Sequence, residues 1–173
     1  LLSHEKKANK AKRIKNYNFC YGNLENVVLK YVALKYPKGD KFKIRQMKGE
    51  AMEQKLKVLI VDDNADLRSL LANGLADLEE ISIVGAAANG MIALEMIEKL
   101  RPDIMLLDII MPQLDGFGVL EYLAKQNESP AVIMVSALTQ EAFVRRAMEM
   151  GAYYYVAKPF EMDSLKNRIK DVV

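Results

Sequence analysis

The stretch Lys57-Val-Leu-Ile-Val-Asp-Asp-Asn-Ala-Asp-Leu-Arg-Ser-Leu-Leu71 changes its period halfway along. Its first part, Lys57 to Asp62, is a short unbroken apolar run, the pattern of a strand buried on both faces. Asn64 then offers a side-chain oxygen to cap a helix. Leu67, Leu70, Leu71, Leu75 and Leu78 follow three- and four-residue steps, which predicts a helix through Leu78. The same change recurs downstream. Residues 81–86 read as a second strand. Asn89-Gly90 opens a helix with Ile92, Ala93, Met96, Ile97 and Leu100 on one side, and Arg101-Pro102 stops it. Residues 104–108 form a third buried strand, and Asp115-Gly116 precedes a helix through Lys125. Residues 131–136 are a fourth strand, followed by a helix over 140–150 that Gly151 closes. Residues 153–157 are the fifth strand and 162–172 the last helix.

Strict strand-helix alternation with short links predicts an α/β fold: a parallel sheet with helices on both faces. In such sheets chemistry gathers at the carboxyl ends of the strands, where strand order reverses. Strand one ends in Asp62-Asp63, strand three in Asp108, strand four in Ser136 and strand five in Lys158-Pro159. Three carboxylates converging without a cation would repel. A hard divalent cation such as Mg²⁺, which takes oxygen ligands and keeps some waters, resolves the conflict. Asp63 and Asp108 could ligate directly, Asp62 mainly through water, and the backbone carbonyl of Ile110 could add an oxygen. Lys158 brings a positive charge and Ser136 a hydroxyl donor. The set describes a place for a phosphoryl group on a carboxylate, since an Asp can attack phosphorus to give an acyl phosphate. Each piece alone has an ordinary explanation, as a solvated turn, a strand end or a surface lysine. Their joint placement at strand ends argues for the site.

The composition narrows the field. The chain has 173 residues, a net charge of +2, one cysteine and one histidine. Cys20 alone excludes an internal disulfide framework and a Cys-based zinc site, and His4 alone argues against a His-metal cluster or a Ser-His-Asp triad. No apolar run approaches the roughly 18 residues of a membrane span, and no signal peptide is visible. A cytoplasmic, soluble location without a membrane partner is expected. The average charge hides two parts. Residues 1–51 hold 13 Lys/Arg against 4 acids, a net of +9, whereas the remainder nets −7. The basic part is poorly patterned. Residues 24–34 are its only stretch suited to a short amphipathic element, and a basic arm touching nucleic acid is one reading of it. A small interaction element is a second, and a translated upstream leader a third: Lys48-Gly49-Glu50 can be encoded AAA-GGA-GAA, which contains a ribosome-binding core shortly before Met52. The expected division is a basic extension over 1–51 and one domain over 52–173.

With those residues in place, the chain resembles a response-regulator receiver domain. Ile-Val-Asp-Asp-Asn (60–64), Leu-Leu-Asp-Ile-Ile-Met-Pro-Gln-Leu-Asp-Gly (106–116), Val-Ser-Ala (135–137) and Lys-Pro-Phe (158–160) match its motifs in order and spacing, over essentially all of 55–173. The resemblance implies a flavodoxin-like (βα)5 fold with strand order 2-1-3-4-5. It makes Asp108 the phosphoacceptor, with Asp62 and Asp63 holding Mg²⁺. It makes Ser136 the switch hydroxyl, Tyr155 the switch aromatic and Lys158 the partner of the phosphoryl group, with a cis bond at Lys158-Pro159. The implied partners are a histidine kinase or histidine phosphotransferase as donor and a phosphorylation-dependent second copy of the chain, with DNA reached only through an effector domain outside this sequence. Residues 107–116 and 151–162 are similar in detail to the receivers of stage-zero sporulation regulators of spore-forming Firmicutes, which implies control of sporulation transcription. One departure is Ser136, where those regulators typically carry Thr. A stand-alone phosphorelay intermediate is the alternative within the family. An Asp-nucleophile phosphatase would need its carboxylates spaced Asp-x-Asp on strand one. A flavin- or nucleotide-binding module would need a Gly- or Ser/Thr-rich loop after it. Asp62-Asp63-Asn64-Ala-Asp-Leu-Arg68 provides neither.

Overall fold

The computed structural model describes residues 54–126 and 129–172. The basic extension 1–51, with His4, Cys20 and the supposed start at Met52, lies outside them. The elements run β1 (Leu56–Val61), α1 (Ala65–Gly74), β2 (Ile81–Ala87), α2 (Gly90–Leu100), β3 (Ile104–Leu107), α3 (Gly116–Leu123), β4 (Ala131–Ser136), α4 (Glu141–Glu149), β5 (Tyr154–Ala157) and α5 (Met162–Val172). The strands form one parallel sheet in the order β2-β1-β3-β4-β5, the flavodoxin-like arrangement that the resemblance implies.

The burial pattern follows from this order. The central strand β3 is buried along its whole length, and β1 nearly so. That requires helices on both faces and explains why these strands read as unbroken apolar runs. Edge strand β2 alternates more freely with solvent. On one face α1 meets α5: a Cβ on Gly74 would lie 2.5 Å from Met162 Cε. On the other face α2, α3 and α4 touch in sequence. Tyr122 Oη donates to Glu98 at 3.0 Å, and the rings of Phe117 and Phe143 stack at 6.3 Å.

Three helices open on the caps that the sequence offers. Asn64 accepts from the Leu67 amide, Asn89 from that of Ile92 and Asp115 from that of Gly118, each satisfying an amide that lacks an intrahelical partner. The helix closed by Arg101 ends there in a left-handed residue, φ 46°, ahead of Pro102. Gly151 follows α4 at φ 114°, where a side chain would be strained.

Two readings of the sequence need correction. The first helix does not reach Leu78. It ends at Gly74, and the Leu78 amide turns back to the Leu75 carbonyl. Leu78 is buried from that turn, so a core leucine continued the period without continuing the helix. Leu70 and Ile92 shared the apolar period yet are 57% and 38% exposed. They lie at the edges of stripes whose centres, Leu71 and Ala93, are fully buried.

Candidate functional site

The sheet order reverses at β1, with β2 on one side of it and β3 on the other. The carboxyl ends of β1 and β3 therefore open onto one crevice. The peptides just beyond the strands are held by the neighbouring strand. Asp62 N–H donates to the Ala87 carbonyl at 3.1 Å, Asp108 N–H to the Val61 carbonyl at 2.9 Å, and Lys158 N–H to the Ser136 carbonyl at 2.9 Å. The sheet thus sets the heights of Asp62, Asp108 and Lys158 relative to one another.

Their side chains meet. Lys158 Nζ lies 2.6 Å from Asp62 Oδ2 and 2.9 Å from Asp108 Oδ2. The remaining oxygens are also engaged: Asp62 Oδ1 accepts from Asn64 N–H at 2.9 Å, and Asp108 Oδ1 from Ile109 N–H at 2.7 Å. Both carboxylates are buried, whereas Asp63 is exposed. Burial alone would pull the Lys158 ammonium down. Its hydrogen bonds and charge contacts with Asp62 and Asp108 outweigh that and hold it above the ordinary lysine value. The lysine is therefore a permanent cation at neutral pH.

Asp62, Asp63 and Asp108 each present a carboxylate oxygen, all within 4.8 Å of one another. An all-oxygen, mostly anionic donor set of this size fits Mg²⁺ and offers nothing to a soft metal. Ile110, whose carbonyl was expected to contribute, is 54% exposed on the loop after β3, two residues beyond Asp108. Pro159 joins Lys158 through a cis peptide.

Ser136 is fully buried at the end of β4, and its Oγ accepts weakly from Leu138 N–H at 3.5 Å. Tyr155, the switch aromatic that the resemblance implies, is 3% exposed, with its hydroxyl donating to the Leu138 carbonyl. Burial pushes this phenol up to about 12; a hydrogen bond with Ser136 lowers it somewhat and the charge of Asp108 raises it.

Sequence reasoning passed over two cationic side chains, one of them beside the crevice. Arg68 donates from one nitrogen to the carbonyls of Asp62 and Asp63, at 2.8 and 3.0 Å. The available signal was a cation in the first turn of a helix, where the macrodipole disfavours it. Arg146, on α4, lies 4.2 Å over the ring of Phe117, the second residue of α3. Nothing in one-dimensional spacing joins those two.

With this geometry stand the likenesses to known proteins. Residues 58–170 match the response regulator receiver domain. The chain belongs to the response-regulator receiver family. The receiver shares 35% identity with the response regulator domain of Thermotoga maritima CheB, over 68% of this chain and 89% of that one, at a TM-score of 0.58. It shares 31% with a chain of the CheX-CheY-BeF3-Mg²⁺ complex of Borrelia burgdorferi, over 66% and 86%, at 0.62. A third likeness is the signal receiver domain of the putative response regulator NarL of Mycobacterium tuberculosis, at 29%, 68%, 95% and 0.65 respectively. Receiver domains are signalling modules that bind Mg²⁺ at an acidic pocket and interact with histidine kinases or phosphotransfer proteins and with effector domains. Among the described residues of this receiver, no helix is long and apolar enough to cross a membrane.

Proposed function

We propose that Asp108 is the phosphoacceptor of this receiver and takes its phosphoryl group from a phosphohistidine. The observation that carries the reading is the joint contact of Lys158 Nζ with Asp62 and Asp108 beside the three-carboxylate cluster. Asp62, Asp63, Asp108 and the Ile110 carbonyl would hold Mg²⁺, which when bound neutralises charge on the equatorial oxygens of the transferring group. An Asp108 carboxylate oxygen forms the new bond to phosphorus as the bond to the donor imidazole nitrogen breaks, and the imidazole leaves with the electron pair. Lys158, already hydrogen-bonded to Asp108 Oδ2 at 2.9 Å, moves that contact to a phosphoryl oxygen. Asp62 retains the ammonium's other bond and keeps it oriented.

The switch lies in the segment after β4. Ser136 Oγ accepts the Leu138 amide at 3.5 Å and is hydrogen-bonded to the Tyr155 hydroxyl, so its turning to a phosphoryl oxygen exchanges both contacts for the new one. Tyr155 holds the carbonyl of the same Leu138. A displacement of Ser136 is thereby felt at the start of α4 and along β5, the elements that would carry the signal to a second copy of the chain or to an effector. The similarity of residues 107–116 and 151–162 to sporulation regulators supports an output in sporulation transcription, through a DNA-binding domain and in the cytoplasm. Residues 52–173 are the unit that performs this chemistry.

Incubation with radiolabelled acetyl phosphate and Mg²⁺ tests the assignment. Wild type is expected to take up stable label and Asp108→Ala none. Equal uptake by the variant would remove Asp108 from its role, and rapid turnover of phosphate esters would point to a phosphatase. A charged phosphotransferase from a spore-former, offered as donor, tests the sporulation connection.

A further inference from the structure

We propose that Arg68 is a positioning residue for the acidic cluster, aiming the carboxylate of Asp63 by holding the two peptide planes on either side of it. The inference rests on the metal-binding reading above and deepens it. Arg68 Nη1 donates to the Asp62 carbonyl at 2.8 Å and to the Asp63 carbonyl at 3.0 Å. These oxygens belong to the peptides that precede and follow Asp63. Fixing both to one nitrogen fixes the direction of the Asp63 Cα–Cβ bond.

The need for such a clamp is specific to Asp63. Asp62 is oriented by Asn64 N–H and by Lys158, and Asp108 by Ile109 N–H and by Lys158. Among the described residues the exposed Asp63 carboxylate has no hydrogen bond or ion pair of its own, so only its backbone aims it at the other two. Arg68 stands in the first turn of α1, with its amide bonded to the Asn64 carbonyl. There its charge opposes the helix macrodipole, so helix stability does not account for it. One cationic nitrogen carrying two N–H groups suffices for the clamp, one for each carbonyl.

Two effects of removing Arg68 have opposite signs, which makes the proposal decidable. By charge alone, loss of a cation near three carboxylates would tighten binding of a divalent ion. By positioning, loss of the clamp lets Asp63 swing and weakens it. Groups that orient metal ligands commonly contribute 10- to 100-fold in affinity, so Arg68→Met is expected to bind Mn²⁺ roughly tenfold more weakly than wild type.

The test uses the full chain, with Mn²⁺ titrations read by electron paramagnetic resonance and a thermal melt of each variant without metal. Arg68→Lys, which keeps the charge and can still donate to both carbonyls, is expected to recover most of the affinity. Excess Mg²⁺ is expected to restore acetyl-phosphate labelling of Arg68→Met. Binding by Arg68→Met as tight as wild type or tighter would overturn the positioning role while leaving the receiver reading intact. A loss that neither Arg68→Lys nor excess Mg²⁺ relieves would mark general damage to the site and would also overturn it. No Mn²⁺ binding by wild type would instead remove the metal-binding reading itself, and the clamp with it.

Discussion

At the scale of single residues, two apolar positions in the loops beside the proposed phosphoacceptor, Asp108, bear on how long its label lasts. Ile110 lies two residues after Asp108 and Leu138 two after Ser136. Both are apolar and offer no hydrogen bond to orient an attacking water. Slow self-dephosphorylation is therefore expected. The double variant Ile110→Asn with Leu138→Glu should shorten the lifetime of the labelled protein by roughly tenfold or more, as a positioned polar group assists water; an unchanged lifetime would refute this. Tyr155 carries a second residue-scale consequence. Its folded pKa, about 12, lies above the ordinary value of 10.0. Below pH 10 both folded and unfolded chains keep the proton. Between the two values the folded protein retains it and the unfolded chain loses it, so the tyrosine's contribution falls as pH rises. Urea unfolding between about pH 9 and about pH 12 should show wild type losing on the order of 2 kcal/mol more than Tyr155→Phe. Parallel curves for the two proteins would show that the phenol does not titrate late.

At the scale of elements, the loop from β3 to α3 is the tightest part of the site. Gly116 N–H donates to the Ile109 carbonyl at 3.0 Å. A Cβ on Gly116 would lie 2.2 Å from the Asp108 carbonyl oxygen and 2.9 Å from Ile109 Cα. Those atoms are backbone and cannot rotate away, so Gly116→Ala must push α3 from the end of β3. The expected cost is about 1–3 kcal/mol of stability, read as a lower urea midpoint, with slower labelling because Asp108 moves too. A variant as stable and as quickly labelled as wild type would show that the loop has slack. The elements were legible in the sequence where one cause acted alone. Unbroken apolar runs marked β1 and β3 because both faces are covered, and Asn64, Asn89 and Asp115 marked helix starts because a cap is a local bond. The end of α1 was not legible, since Leu78 joins the core from a turn and keeps the helical period after the helix has stopped. Strand-end positions foretold the meeting of Asp62, Asp108 and Lys158. The bonds of Arg68 were not foretold, because a long flexible side chain folding back onto a turn leaves no periodic trace.

At the scale of the whole molecule, the described core is one cluster. It runs from Leu56 to Val172 and draws on every strand and on all five helices. The ends of its path are tied together, with Lys166 on α5 bonded to Asp77 after α1 at 2.7 Å and Met162 packed against Gly74. Among the described residues, the hydrogen bonds of β1, and those that fix Asp62, Asp108, Ser136 and Lys158, come from residues between Leu56 and Lys158. A chain beginning at Met52 should therefore fold as a single cooperative unit and take up acetyl-phosphate label at the rate of the full-length protein. Its net charge would change sign, from +2 to −7, which alters solubility and non-specific adsorption more than fold. The melting midpoints of the two proteins are expected to agree within about 3 °C, less than the shift that 1 kcal/mol commonly produces in a domain of this size. A larger fall in the shorter chain would mean that residues 1–51 pack onto the receiver and contribute to its core. A slower labelling rate at an unchanged midpoint would place the basic segment instead at the mouth of the crevice, where its lysines would draw the anionic donor in.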